Sequence, residues 1–345
     1  MRIIVDVMSG DNAPLEIIKG AIFAAEEYKD HEIIIVGDEN VISDVVVKNE
    51  LNLYGITIKH APGVISMEDS PLSVVRDKKD SSMSVGLRML AQGEGDCFVS
   101  AGNTGALITG ATLIVKRIPG INRAAIASIL PMSCPVLLMD SGANLNVTSD
   151  NIYQFAFMGA KYMEKIYGID RPRIGQLNNG TEYNKGNNLQ IESYQLLSES
   201  GLNFVGNVES KEVPFGVCDV LVTDGYTGNI FLKSVEGMGK FLMGTLKDVL
   251  CTNIATKMST LTMKAKIKEI KRRFDSSEHG GAPLLGISKP VIKAHGSSNA
   301  KAIKNAVRQA IFFVNTGINA DISSFAVDYD EKKLLADADK LYGQI

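Results

Sequence analysis

The chain has 345 residues, 45% of them hydrophobic, enough to bury one large core or a core with a second lobe. A net charge of −3 gives no global bias toward nucleic acid, so no nucleic-acid partner is expected and any basic surface must be local. Cys97, Cys134, Cys218 and Cys251 are far apart without C-x-x-C spacing, which argues against a zinc knuckle or disulfide framework and fits a reducing cytoplasm.

The apolar run at 3–7 follows Met1-Arg2 directly and turns acidic at Asp6, too short for a signal peptide, and no uninterrupted apolar run reaches bilayer length. Short Val/Ile runs then alternate with longer segments of helical period. Strands are predicted at 3–7, 33–36, 56–59, 97–100, 125–130, 136–139, 173–177, 204–208 and 220–223. Helices are predicted at 14–28, 40–49, 105–115, 150–167, 185–198 and 301–313. Continuous β-branched runs without polar alternation are what strands covered on both faces look like, so the expected fold is α/β, a mostly parallel sheet with flanking helices. Thr148, Ser149 or Asp150 supplies a cap for the helix that follows, and Pro14 suits a first turn. With no linker, repeat or low-complexity tract, residues 1–345 read as a single α/β unit, either one-lobed or with a second lobe near 173–222.

Six Gly/Asn-rich clusters follow the apolar runs, at 9–12, 101–105, 140–144, 178–182, 224–229 and 294–299. Any one of them could be an ordinary turn. Glycine permits close approach of backbone to ligand and Asn and Ser supply neutral donors, so six such loops at strand ends make an anion site. The G-x-x-x-x-G-K-[ST] loop and a complete G-x-G-x-x-G are absent, as is a G-x-S-x-G elbow. His31, His60, His279 and His295 lack H-x-x-x-H spacing, so no metal site and no cofactor are expected.

In these loops the chain resembles the PlsX-type acyl-ACP:phosphate acyltransferases of bacterial phospholipid synthesis. The strings that carry the resemblance are 6–14, with Ser9 where a second Gly is more usual, then 100–106, 140–144, Asn-Asn-Gly-Thr-Glu-Tyr-Asn-Lys-Gly at 178–186, 224–229, Gly-Gly-Ala-Pro-Leu-Leu-Gly at 280–286, and 294–298, all in family order. The resemblance implies a fold similar to phosphate acetyltransferases and isocitrate/isopropylmalate dehydrogenases, a homodimer, and peripheral attachment of a cytoplasmic protein to an anionic membrane surface. It also implies an activity in which acyl carrier protein and inorganic phosphate are the partners, with the acyl phosphate passed to a downstream acyl-phosphate glycerol-3-phosphate acyltransferase. Alternatives are a phosphotransacylase using CoA thioesters and a non-catalytic membrane-associated scaffold for acyl carrier protein.

That chemistry suits neutral residues. Phosphate near pH 7 is largely dianionic and nucleophilic, and a thiol of pKa about 8.5 leaves readily, so the site must supply a phosphate cradle, oxyanion donors and alignment rather than a strong base. The residues expected to act are Asn103, Asn144, Lys185, Asp224, Asn229 and His295. Gly102, Thr104, Asp140, Gly142, Asn179, Glu182, Gly228 and Ser297 are expected to bind substrate, with the N–H groups around Gly102, Gly142 and Gly228 on phosphate or oxyanion. His295 either donates to the oxyanion, protonates the leaving sulfur or simply sits beside the helix cap at 297–299. The 280–286 stretch either lines an acyl tunnel or makes a tight turn into the last strands.

Residues 226–274 read as two long helices broken near Thr252-Asn253, with a protruding hairpin over 240–274. From 253 to 274 seven cations oppose one anion, Glu269, a net charge of +6. Ile254, Met258 and Leu261 recur at helical spacing beside that basic face. The segment suits a membrane hook, a docking face for an acidic carrier, or a dimer helix. With the resemblance, the assignment is membrane contact at Ile254, Met258 and Leu261 and carrier docking by Lys264, Lys268, Lys271, Arg272 and Arg273.

Overall fold

Runs such as Ile3-Ile4-Val5 can be buried on both sides only inside a layered α/β structure, and a computed structural model of the chain shows two such sheets. It describes residues 1–250, 266, 278 and 280–329. The first sheet has the order β3-β2-β1-β4-β12-β11-β5, built from β1 (Arg2–Asp6), β2 (Glu32–Gly37), β3 (Ile56–His60), β4 (Cys97–Ser100), β5 (Ala125–Ile126), β11 (Ala282–Leu285) and β12 (Val291–Lys293). Only β11 runs antiparallel to its neighbours. The second has the order β6-β7-β10-β8-β9, from β6 (Ser128–Leu130), β7 (Val136–Met139), β8 (Ile174–Asn178), β9 (Phe204–Glu209) and β10 (Val220–Val222), parallel except for the β6 edge.

Helices cover the faces. Ile3, Val5, Ile33 and Ile35 of the first sheet pack with α1 (Leu15–Glu27) and α8 (Ala300–Thr316), while Ile4, Ile34 and Phe98 pack with α3 (Ser82–Gln92) and α4 (Thr104–Gly110) on the other face. In the second sheet Leu137, Met139 and Val220 meet α5 (Ser149–Tyr167) and, through Phe313, Ile318 and Ile322, α8 and α9 (Ile318–Tyr329). The helix α8 thus belongs to both cores, Ile303 to one and Phe313 to the other. A Cβ at Gly20 would lie 2.5 Å from Ile303 Cβ, so that glycine sets how closely α1 and α8 approach. Each fully buried Ile or Phe contributes roughly 1.5–3 kcal/mol. Two short helices, α2 (Glu39–Lys48) and α6 (Asn188–Ser198), and the 26-residue α7 (Gly225–Leu250) complete the described fold.

Three expectations are corrected. The run 125–130 is not one strand: it breaks at Ala127, leaving β5 in the first sheet and β6 in the second, so there are two sheets rather than one. The 280–286 stretch, not among the predicted strands, forms β11 with Leu284 and Leu285 buried in the core. The helix expected from 185 starts at Asn188, where Asn187 caps it. Thr148 caps α5 through a reciprocal pair with Asn151, as the sequence suggested. The first helix of the predicted pair is α7. Its partner, with Ile254, Met258, Leu261, Lys264, Lys268, Lys271, Arg272 and Arg273, lies outside the described residues. Among the described residues no single helix is long and apolar enough to cross a membrane.

Candidate active site

Parallel strands deliver their C-terminal ends to one edge of a sheet, which is where open α/β folds bind ligands. On the first sheet the tips of β1, β4 and β12 pack on one another. Asp11 N donates to Gly296 O at 2.8 Å, and Asn12 Nδ2 to Ser297 O at 3.1 Å. Gly10, at φ +117°, is wedged between Ala101 and Gly296, and a Cβ at Gly102 would lie 2.7 Å from that of Ser9. Beneath them the Asp6 carboxylate is fully buried and accepts from Ser82 Oγ at 2.6 Å, Ser100 Oγ at 2.7 Å and Met8 N at 3.2 Å. Burial raises its pKa, and these donors pull it partly back.

On the second sheet the tips of β7 and β10 form another nest. Buried Asp140 accepts from the N–H groups of Ile126 at 3.1 Å, Gly142 at 3.1 Å, Ala143 at 3.0 Å and Asn144 at 2.7 Å, and from Asn144 Nδ2 at 2.8 Å. Burial again pushes the carboxyl up against that set of donors. Asn144 Nδ2 also donates to Ala124 O at 2.7 Å. The start of α7 is pressed into this nest: Gly225 N donates to Asn144 O at 2.7 Å, and a Cβ at Gly228 would lie only 2.0 Å from Asp140 O. A Cβ at Gly142 would stand 3.5 Å from Asn229, so Asn144 and Asn229 share this nest. The exposed Asn229 side chain sits on the first turn of α7.

From there α7 runs past the first nest, where the charges of Lys233, Glu236 and Lys240 act on His295. Ser297 N donates to His295 Nδ1 at 3.2 Å, with Ser297 Oγ at 2.9 Å from the same atom. That bond assigns the neutral tautomer with the proton on Nε2, leaving Nε2–H as the outward donor. Burial first, then Lys233, lowers the His295 pKa and favours this neutral form near pH 7.

Several expected contacts are already made inside the protein. Gly102 N donates to Ser100 Oγ at 3.1 Å, Gly142 N to Asp140, and Gly228 N to Asp224 O at 2.9 Å, so these three amides do not form an open anion cradle. What the glycines contribute is the absence of a Cβ where loops meet. Asn103 Nδ2 is shared among Ser66 O, Met67 O and Asp69 O at 3.1–3.2 Å, while its Oδ1 caps α4 by accepting from Ala106 N. Thr104 opens α4 beside it. Asp224 caps α7 through Thr227 N at 2.8 Å and Thr227 Oγ1 at 2.7 Å.

The 178–186 loop follows β8, the neighbour of β10, at the same sheet edge. Its Lys185 Nζ lies 3.7 Å from Glu182 Oε1, both side chains about half exposed, and Asn179 N donates to Asn178 Oδ1. Such an exposed pair is weak and can yield to a stronger anion. Lys185, Glu182 and Asn179 therefore sit on a separate loop beside the nest that holds Asn144 and Asn229.

Two residues at this edge were passed over in the sequence. Asp6 was legible as an acid ending a buried strand. Lys293 reads as an ordinary lysine, yet it is part-buried at the end of β12, in register with Ser100, and the charges of Asp6, Asp11 and Lys233 act on it.

A family model described as "Fatty acid synthesis protein" matches residues 1–321. The phosphate acyltransferase of Thermoanaerobacter pseudethanolicus is 46% identical over 92% of this chain and 95% of its own length. That of Caldanaerobacter subterraneus subsp. tengcongensis is 47% identical over 90% and 92%. Among solved structures, a phosphotransacetylase from Streptococcus pyogenes superposes with a TM-score of 0.57 at 18% identity, covering 91% of this chain and 94% of that one. A branched-chain phosphotransacylase from Enterococcus faecalis gives 0.55 at 14% identity, covering 92% and 100%. The structural likeness shows the fold, the sequence likeness the family: the chain belongs to the fatty acid synthesis protein family of phosphate acyltransferases, the PlsX type, and is an acyl-transferring enzyme.

Proposed function

We propose that the enzyme converts acyl-ACP and inorganic phosphate to acyl phosphate and free acyl carrier protein, supplying an acyl-phosphate glycerol-3-phosphate acyltransferase in phospholipid synthesis. A phosphate oxygen attacks the thioester carbonyl, the C–S bond breaks, and the sulfur leaves as thiolate or takes a proton. No covalent enzyme intermediate is needed. The observation that carries this reading is the path of α7, which starts against Asn144 and Asp140 in one nest and passes His295 in the other.

In this reading Asn229 holds phosphate from the second sheet, while Asn144, whose two amide hydrogens go to Ala124 O and Asp140, positions the start of α7 through Gly225 N. Lys185 leaves Glu182 to join Asn229, and His295 Nε2–H donates to the thioester oxygen as charge develops. One such donor is worth roughly 3–4 kcal/mol in the transition state. Asn103 and Asp224 act as positioning residues, since their caps fix α4 and α7. The sequence at 253–274 supplies the carrier-docking and membrane-contact surfaces of a homodimer at the cytoplasmic face.

The test mixes the purified protein with acyl-ACP and labelled phosphate and traps product with hydroxylamine. Phosphate-dependent hydroxamate with release of free carrier is the expected result, and its absence removes the proposal. Because the fold is that of phosphotransacylases, acyl-CoA is compared at equal concentration; a preference for it would replace the carrier by CoA.

A further inference from the structure

Lys293 carries a part-buried ammonium. It ends β12, paired with Ser100 of β4, which in turn pairs with Asp6 of β1, and the three loops that follow these strands pack on one another. Of its three N–H groups one donates to its own neighbour, Ala294 O, and it forms no ion pair with a described residue. Asp6 and Asp11 on the β1 side act on it favourably, but Asp6 is already engaged by two serine hydroxyls. From α7 comes Lys233, a second cation, itself paired with Glu236 at 2.8 Å, and His295 lies two residues along its own strand end. A charge drawn partly out of water without an ion-pair partner is costly, and a second cation nearby adds to the cost. Both costs are relieved by an anion.

Two buried hydroxyls lie on the loops that follow β1 and β12. Ser298 Oγ, in the loop after β12, is buried and makes no hydrogen bond. Ser9 Oγ, at the tip of β1 where a glycine is more usual in the family, is also buried. It lies close enough to Asp6 to act on that carboxylate, yet makes no hydrogen bond of acceptable geometry. Like the unpaired buried hydroxyls of Ser193 and Thr223, each would gain from an incoming hydrogen-bond partner.

We infer that Lys293 is the cation that receives the phosphate dianion, with the Ser9 and Ser298 hydroxyls as donors beside it. The inference rests on the phosphate-acceptor reading above and assigns the main phosphate charge to β12 rather than to Lys185. Lys293 then serves phosphate binding rather than recognition of the acyl donor. Burial, then Lys233, brings its pKa down to about 8. The free site therefore holds the charged form below that pH and loses it above, whereas phosphate, whose second ionisation lies near neutrality, only becomes more fully dianionic as pH rises, so its own titration does not weaken binding.

The test is calorimetric titration of inorganic phosphate into wild type, Lys293→Gln and Lys293→Arg at about pH 7.5 and about pH 9.5, beside the KM values for phosphate and acyl donor. Wild type should bind roughly 20-fold more weakly at the higher pH, as expected for a required proton with a pKa near 8. Lys293→Arg, permanently charged, should lose most of that pH dependence. Lys293→Gln should bind roughly 10- to 100-fold more weakly at the lower pH, the worth of one charge-assisted contact, with the KM for acyl donor within about twofold. Wild-type phosphate affinity in Lys293→Gln, or equal pH dependence in wild type and Lys293→Arg, overturns the inference. Should the Gln variant not fold, the comparison of wild type with Lys293→Arg decides alone. Phosphate binding that depends on Lys293 without any acyl phosphate formation would instead overturn the function and leave this site standing.

Discussion

Replacing Gly228 by alanine tests whether α7 is held against the Asp140 nest as described. The added Cβ would lie 2.0 Å from Asp140 O and 3.1 Å from Asp140 C, where real contacts essentially never fall below 3.0 Å, so helix or loop must retreat by about 1 Å. Neither partner can swing aside, because the oxygen is backbone and its residue is held by four N–H donors and the Asn144 amide. Overpacking of this kind costs roughly 1–3 kcal/mol, and the shift also strains the 2.7 Å bond from Gly225 N to Asn144 O. Displacement of a substrate-positioning group by about 1 Å costs on the order of 100-fold in rate, so kcat for acyl phosphate formation should fall by about that factor with Asn229 carried out of place. Gly237 is the internal control: it lies in the same helix, and among the described residues nothing stands within 4 Å of an added Cβ. Gly237→Ala should stabilise by roughly 0.5–1 kcal/mol with activity unchanged. Urea unfolding and the hydroxamate assay read both variants. Gly228→Ala with wild-type stability and rate would refute the packing described for the nest.

Other outcomes follow from the same geometry. His295→Gln should lower kcat by roughly 100- to 1,000-fold while moving the KM for phosphate little, because the oxyanion contact strengthens only in the transition state; an equal loss in phosphate affinity would place His295 in the phosphate site. Asp219 is pushed up by burial, but Arg173 outweighs that through contacts at 2.8 Å and 3.1 Å and holds the carboxyl below its usual value. Its stabilising effect is thus present above the unfolded carboxylate pKa and lost as pH falls through the folded one. Arg173→Ala, a half-exposed partner, should cost about 1 kcal/mol near neutrality and progressively less in acid, measured by urea midpoints against pH. Charge reversal at Lys264, Lys268 and Arg272 should raise the KM for acyl-ACP and leave that for acyl-CoA unchanged, and an unmoved KM for acyl-ACP would remove the docking assignment.

Much of the layered fold was legible because its strands are written in Val and Ile with no polar alternation. The division into two sheets was not, since nothing in the run 125–130 marks Ala127 as the crossing point between them. The helix α3 escaped notice behind serines and a glycine, although Met83, Leu87 and Leu90 recur at helical spacing and are buried. The strand β11 hid in Gly-Gly-Ala-Pro, a composition that reads as a turn. At the site, loop positions and caps were visible: Asn299 caps α8, as the 297–299 string suggested. Which hydrogen-bond donors remain available was not, because Asp140 gathers the amides of its own loop and Asn103 gathers three carbonyls from 66–69, relations fixed only by tertiary packing. The part-buried setting of Lys293 was hidden for the same reason.

The central claim is direct attack by phosphate on the thioester without an acyl-enzyme, and an exchange experiment addresses it most simply. Phosphate-free enzyme is incubated with acyl-ACP and labelled free carrier protein, and label is followed into acyl-ACP. The account predicts no exchange until phosphate is added. Label appearing in acyl-ACP without phosphate would require the acyl group to rest on the enzyme, and would contradict it.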